Sequence, residues 1–329
     1  MAVRNMTRAL VRPRIFLTRR LPDEVMAEIK RRFNLKYNPL DRPLTRTEIR
    51  KGIGNADGLI SMLNDPIDRE TIRAAPGLKI ISNYAAGYNN IDVQEASRRG
   101  IHVTNTPGVL TETTADLTWA LILSASRRLY QSERVLRSGK WTGWAPTHFL
   151  GSDVHGKTLG VIGLGRIGKA VARRAAGFSM NVVYHNRNRL SPAEERRLGA
   201  RFLSLADLMK ISDFVSLHLP LTPASRHLID SRAFQRMKRT AFLINTARGP
   251  IVDEKALVRA LESGRIAGAG LDVFEDEPRV NARLRKMEQA VLLPHIGSAS
   301  RDTRIRMGWM VLENLTAFFG GKRPPHRVI

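Results

Sequence analysis

Three residues in the second half of the chain have side chains and settings suited to chemistry on a small acid. Arg248 follows the apolar run 241–246, Glu277 lies shortly after 271–273, and His295 follows 291–294. Each run reads as a strand, so all three residues fall just beyond strand carboxyl ends, where open parallel sheets place their ligands. Taken singly, each has an ordinary reading: a solvated loop cation, a turn residue before Pro278, a histidine with no task. Taken together they suit one reaction. A 2-oxo acid needs its carboxylate held and its carbonyl polarised, and a planar guanidinium does both. Hydride delivery to the carbonyl carbon leaves an alkoxide that must be protonated, and histidine is the side chain poised for that near neutral pH. A carboxylate beside an imidazole favours its protonated form. A nicotinamide would carry the hydride, so neither a nucleophile nor a metal is expected.

Such a cofactor needs a binding element, and the stretch 157–172 reads as one. The apolar run Leu159–Ile162 enters a glycine turn, and a helix-periodic run leaves it. Gly163, Gly165 and Gly168 stand in the G-x-G-x-x-G spacing. The first allows a tight turn, the second lets a pyrophosphate approach the backbone, and the third lets helix and strand pack closely. The helix N-terminus then offers free N–H groups and a positive dipole end to the phosphates. A second strand, 181–185, follows. An NAD site of this kind would carry an acidic residue near the end of that strand for the ribose hydroxyls. Here the segment is His185-Asn186-Arg187-Asn188-Arg189, with no acid. Arg187, with Arg189 as a second candidate, is expected to meet a 2′-phosphate, so NADP is the expected cofactor and NAD the alternative. The competing reading is two more surface arginines in a basic protein.

Composition bounds the rest. At 329 residues two domains are the natural expectation, and 43% hydrophobic content is globular. There is no cysteine, which removes disulfides, thiolate catalysis and cysteine metal sites and fits a cytoplasmic setting. No apolar run reaches the ~18 residues that a membrane span needs. The net charge of +24 admits a nucleic-acid reading, but the cations are spread along the chain without a recognisable nucleic-acid motif. A basic surface that attracts small anions is expected instead. The first residues are rich in arginine and hold no acid up to Leu21, as in a transit peptide. Because 14–18 already reads as a strand, the residues before it are expected to form a short tail.

Strands are predicted at 15–17, 59–61, 78–82 and 101–104, with a helix at 23–33 and helical or turn material between the others. Alternation of this kind implies a parallel, doubly wound sheet. The loop 83–90 follows one of its strand ends. The segment 111–128, apolar nearly all round over 117–123, predicts a buried helix linking two domains. The loop 138–153, with Trp141 and Trp144, either packs on another surface or fills space. Beyond the glycine turn, strands are predicted at 214–220, 241–246, 268–273 and 291–293, with helices at 206–210, 234–238, 253–263 and 302–319. A polar tail, 320–329, ends the chain.

These motifs resemble those of the D-isomer-specific 2-hydroxyacid dehydrogenases. The resemblance is carried by 163–168, by Asn245-Thr246-Ala247-Arg248-Gly249, by 271–278 and by Pro294-His295-Ile296-Gly297-Ser298-Ala299. It extends from about Arg14 to Phe319, and the branch most resembled is the glyoxylate/hydroxypyruvate reductases. It implies a Rossmann-type nucleotide domain, 106–296, inserted into a flavodoxin-like substrate domain, 1–105 with 297–329, and a cleft that takes both ligands. It implies catalytic roles for Arg248, Glu277 and the proton donor His295. Ala86 and Gly87 match backbone positions that hold the substrate carboxylate, with Arg248 and His295 as the side chains facing the acid. Cofactor contacts are expected from Gly163, Gly165, Arg166, Ile167 and Gly168 in the turn, and from Asn186, Arg187 and Asn188 after the second strand. Leu219, Pro220, Thr246, Ala247, Arg248, Asp272, His295 and Gly297 complete the cofactor set. A homodimer is implied, with no nucleic-acid or membrane partner. Dehydrogenases of phosphoglycerate, D-lactate-like acids, phosphite or formate share the scaffold. Corepressors that bind NAD(H) resemble it too and can keep the three catalytic side chains.

Overall fold

The computed structural model describes residues 12–40 and 42–329; the expected N-terminal tail lies outside them. Two compact units are present. One is Met1–Leu110, described from Arg12, together with Ser300–Ile329; the other is Thr111–Ala299. The expectation set the changes after 105 and 296. Val109 and Leu110 pack into the core of the first unit, whereas Thr114 of the second donates to the Gly297 carbonyl at 3.0 Å.

The first unit is a parallel five-stranded sheet in the order β2-β1-β3-β4-β5. Its strands are β1 (Arg14–Leu17), β2 (Asn34–Tyr37), β3 (Gly58–Met62), β4 (Ile80–Tyr84) and β5 (His102–Thr104). Side chains alternate along a strand, and here both faces are covered. Ile15 and Leu17 join Val25, Ile29, Val311 and Leu315 on one face; Phe16 joins Ile49, Ile53, Leu59 and Ile81 on the other. The helices responsible are α1 (Asp23–Arg32), α2 (Arg46–Ile53), α3 (Arg69–Arg73), α4 (Val93–Arg98) and the C-terminal α12 (Arg301–Phe319). The polar tail is not loose: Arg327 bridges Thr104 antiparallel, and Val328 N–H donates to the Val103 carbonyl at 2.7 Å.

The second unit is a parallel seven-stranded sheet in the order β12-β11-β10-β9-β6-β7-β8. The strands are β6 (Thr158–Ile162), β7 (Asn181–His185), β8 (Ala200–Phe202), β9 (Phe214–Leu217), β10 (Phe242–Asn245), β11 (Gly268–Leu271) and β12 (Ala290–Leu292). Chain order reverses at β6, whose neighbours are β9 and β7, and this reversal opens the crevice that such sheets use for ligands. The long buried helix is α5 (Thr111–Ser126). It anchors to α7 (Arg166–Ala175) through Trp119, whose indole N–H donates to the Val171 carbonyl at 3.1 Å and whose ring stacks on Phe178 at 4.5 Å.

The helix predicted to run to Arg128 stops two residues earlier. Arg128 takes a left-handed backbone, φ 54°, and a separate α6 (Leu129–Arg137) follows. The remaining helices of this unit are α8 (Pro192–Leu198), α9 (Leu205–Ile211), α10 (Ser231–Arg236) and α11 (Glu254–Glu262). Among the described residues, no helix is long and apolar enough to cross a membrane.

Candidate active site

The glycine turn lies at the reversal point. Gly163 has φ +95°, and a Cβ there would meet the His218 carbonyl carbon at 2.6 Å, so the turn accepts only glycine. Gly165 caps α7 and has nothing within 4 Å of an added Cβ, leaving the helix N-terminus open. A Cβ on Gly168 would run into the Gly163 carbonyl, which is the close helix–strand approach expected. Arg166 is exposed and Ile167 partly buried, both in the first turn of α7. Leu219 and Pro220 follow β9 beside this turn, and the Pro220 carbonyl accepts from Ser225 Oγ at 2.8 Å.

Two contacts at the end of β7 add to the expectation. Asn186 turns inward, its Oδ1 accepting the Leu164 N–H at 2.6 Å, and so braces the glycine turn. Arg189 forms a bidentate pair with Glu195, at 2.8 Å for each bond. Glu195 in turn has its pKa drawn down to about 2, by Arg189 first and then by the Tyr184 hydroxyl. Arg189 therefore already has an anion. Arg187 and Asn188 are exposed, and Arg187 has no ion-pair partner among the described residues.

The expected catalytic side chains sit at the ends of three adjacent strands. After β10, Asn245 shapes the turn by accepting from Ala247 N–H and donating to the Arg248 carbonyl, both at 3.0 Å. Thr246 is buried and shares a 3.0 Å hydroxyl contact with Thr118 of α5. Arg248 donates from Nη1 to the Ala247 carbonyl at 2.7 Å. Burial pulls its pKa below the usual arginine value, and the charge of Glu277 opposes that. After β11 comes Glu277. Its Oε1 accepts from Phe274 N–H at 3.0 Å, and its Oε2 lies 2.8 Å from His295 Nδ1. Burial pushes the Glu277 pKa up, but the His295 bond and charge, the Phe274 N–H and Arg248 together bring it below its ordinary value. Glu277 is thus held as a carboxylate. With Nδ1 engaged, the outer nitrogen of His295, Nε2, is left for a substrate.

After β12, His295 adopts φ +54°. A left-handed histidine is strained, and such strain persists only where neighbours over-determine it. Here the determinant is Asp272, almost fully buried, which accepts the Ile296 N–H at 2.6 Å and the Gly297 N–H at 2.8 Å. Burial raises its pKa, against the pull of those N–H groups and of His295. Asp272 stood in the sequence reading only as a cofactor contact; its grip on the histidine turn was missed, because no local pattern reveals a carboxylate 24 residues upstream as an anchor. His218 was missed as well. Burial pushes its pKa down to about 3, and its Nε2 lies 2.8 Å from Ser216 Oγ, so it is neutral and gives no proton at neutral pH. Ala86 and Gly87 belong to the other unit, in the turn after β4.

A glycine turn at the reversal point of a parallel sheet, with arginine, glutamate and histidine at neighbouring strand ends, defines a dinucleotide-binding protein of the dehydrogenase type. Residues 119–297 match the family model for the D-isomer specific 2-hydroxyacid dehydrogenase, NAD binding domain. The chain is 50% identical over 320 residues to a glyoxylate reductase of Korarchaeum cryptofilum, covering 97% of this chain and 96% of that one. It is 49% identical over 319 residues to a glyoxylate reductase of Thermococcus kodakarensis, covering 96% of each. Among solved structures, the NADPH-dependent glyoxylate/hydroxypyruvate reductase of Sinorhizobium meliloti, in complex with NADP and malonate, superposes with a TM-score of 0.87. It is 35% identical, covering 96% of this chain and 97% of that one. The chain belongs to the D-isomer-specific 2-hydroxyacid dehydrogenases.

Proposed function

We propose that the protein is an NADPH-preferring reductase of small 2-oxo acids, of the glyoxylate and hydroxypyruvate type, yielding glycolate and D-glycerate. The observation that carries this is the His295–Glu277 contact of 2.8 Å beside Arg248, at the ends of adjacent strands. When bound, a reduced nicotinamide supplies a hydride to the carbonyl carbon. Arg248, held as a forked cation, binds the carboxylate and draws electron density toward the carbonyl oxygen. His295 Nε2 gives its proton to that oxygen as charge develops there, so the product leaves as a neutral alcohol. Glu277 keeps the ring oriented and offsets the imidazolium charge. The high homologue identity to glyoxylate reductases supports the choice of acid.

The open end of α7 and the exposed Arg187 suit a dinucleotide with a 2′-phosphate. Asn186 and Arg189 act behind it, one bracing the turn and the other paired to Glu195. A charge-assisted hydrogen bond is worth about 1.5–3 kcal/mol, and an exposed one falls at the low end because salt screens it. Replacing Arg187 by Ile together with Asn186 by Asp is expected to swing the kcat/KM ratio at least ~10-fold from NADPH toward NADH. A ratio that does not move would leave Arg187 as surface charge.

A homodimer belongs to the same reading. On α6 and the loop after it, Leu129, Tyr130, Leu136, Trp141, Trp144 and Leu150 are exposed. Large exposed apolar side chains grouped along one stretch of chain suit a protein interface, and a second copy is the occupant the family implies. Light scattering on the purified protein tests it. A cytoplasmic location is part of the proposal, tested by cell fractionation. The deciding experiment is an assay with NADPH and NADH against glyoxylate, hydroxypyruvate, pyruvate and phosphohydroxypyruvate. Faster oxidation with the first two supports the reading. Preference for phosphohydroxypyruvate would make the protein a different dehydrogenase, and no oxidation with any acid would favour a corepressor-like role.

A further inference from the structure

Three successive carbonyls of the turn after β4 are held by hydrogen bonds. The Ala85 carbonyl accepts the Thr106 N–H at 2.9 Å. The Ala86 carbonyl accepts the side-chain amide of Asn105 at 2.7 Å, and the Gly87 carbonyl accepts that of Asn83 at 2.8 Å. Across a trans peptide, the carbonyl of one residue and the N–H of the next point in opposite directions. Each held carbonyl therefore turns the N–H of its own peptide, that of Ala86, Gly87 or Tyr88, away from the group that holds it. Among the described residues those three N–H groups have no acceptor. Consecutive N–H groups left open on a turn suit an anion.

The pinning residues are held in turn. Asn83 lies fully buried on β4, and its Oδ1 accepts from Ser61 of β3 at 3.0 Å. The Asn105 N–H donates to the His326 carbonyl at 3.2 Å. The Asn105 carbonyl accepts from Asn314 of α12 at 3.4 Å, and Asn314 accepts the His326 N–H at 3.1 Å. Asn90 fixes the far end of the turn by donating to the carbonyls of Met62 and Asp65, at 2.9 and 3.1 Å. Asparagine suits the task because it offers a neutral donor of fixed length. An aspartate would turn an oxygen toward each carbonyl and set a negative charge behind the cradle.

We propose that Asn83 and Asn105 are positioning residues that hold the turn 85–88 as a rigid cradle for the carboxylate of the 2-oxo acid. This rests on the reading of the protein as a 2-oxo acid reductase. Neither asparagine touches the acid; each acts through the peptide whose carbonyl it holds.

The test replaces Asn105 by Ala, and also by Leu, which has nearly the same shape without the donor. Both variants are expected to raise KM for the preferred 2-oxo acid about tenfold, with kcat and the dinucleotide KM within about twofold of the parent. Inhibition by oxamate, which carries the same carboxylate, is expected to weaken in parallel. An unchanged acid KM in either folded variant would overturn the proposal, as would a loss shared equally by acid and dinucleotide. Should the parent reduce no 2-oxo acid, the functional reading falls, and calorimetric titration with oxamate still decides the cradle. Binding about tenfold weaker in Asn105→Ala supports it; equal binding in parent and variant, or no binding by the parent, overturns it.

Discussion

Two histidine–glutamate pairs share one loop, and only one of them has the geometry of the proposed proton donor. His295 meets Glu277 at 2.8 Å, and His227 meets Glu275 at 2.6 Å. Both histidines have a left-handed backbone, φ 54° and 52°. Residue type, distance and backbone strain are thus nearly the same. The difference lies in which atoms are engaged. His295 uses Nδ1, the inner nitrogen, which leaves Nε2 at the ring's tip for a reacting oxygen. His227 spends Nε2 on its glutamate. The glutamates differ too. Each glutamate sees an arginine, Arg248 for Glu277 and Arg226, at 3.4 Å, for Glu275, but Glu275 also accepts the Glu254 N–H at 3.3 Å while Glu254 accepts the Glu275 N–H at 3.1 Å. That reciprocal grip, extended by the Asn281 N–H on Glu254 at 3.1 Å, ties the loop to the start of α11. The second pair is a brace for the loop that carries the first.

The contrast is sharpest in turnover. His295→Ala is expected to lower kcat by ~10²–10⁴-fold, the range for a positioned acid, with dinucleotide affinity little changed. His227→Ala, by steady-state assay under the same conditions, is expected to stay within about fivefold of the parent, since it removes only one of the brace's contacts. Equal losses in the two variants would erase the distinction drawn from Nδ1 and Nε2.

Arg248, Glu277 and His295 were legible in the sequence because each follows a recognisable apolar strand, whereas nothing in the sequence singled out His227 or its pairing with Glu275. The glycine turn and both parallel sheets were legible for the same reason: central strands are buried on both faces and read as apolar runs. What escaped was peripheral or long-range. Asn34–Tyr37 and Ala200–Phe202 are edge strands, short and half exposed, so neither carries a full apolar run. The break at Arg128 hid α6, whose large apolar residues Leu129, Tyr130 and Leu136 face outward. The partners of Asn186 and Arg189, Leu164 and Glu195, escaped as well, because they are chosen by the folded chain rather than by local pattern.

The brace should show itself in stability. Glu275→Ala removes the acceptor of the Glu254 N–H, one of the orphan donors at a helix start, and the partner of His227. Loss of hydrogen bonds to a charged group predicts a cost of about 1.5–3 kcal/mol in chemical denaturation, with a smaller effect on kcat than His295→Ala. A Glu275→Ala protein as stable as the parent would show that the reciprocal grip contributes nothing to the fold.

The smallest expected effect is the pH response of the His295–Glu277 pair. Glu277 has a folded pKa below its ordinary 4.5. A carboxyl group with a depressed folded pKa stabilises the native state above its unfolded pKa, and the contribution disappears as pH falls through the folded value. Wild-type protein is therefore expected to be more stable than Glu277→Gln at about pH 6, with the difference narrowing as pH is lowered toward about 4. The side chain is 29% exposed, so solvent screening keeps the whole effect below about 1 kcal/mol. Denaturant midpoints of the two proteins across that range provide the measurement. A gap that widens on acidification would mean that Glu277 is not held as a carboxylate by His295 and Arg248, and the proposed catalytic pair would then lose its electrostatic support.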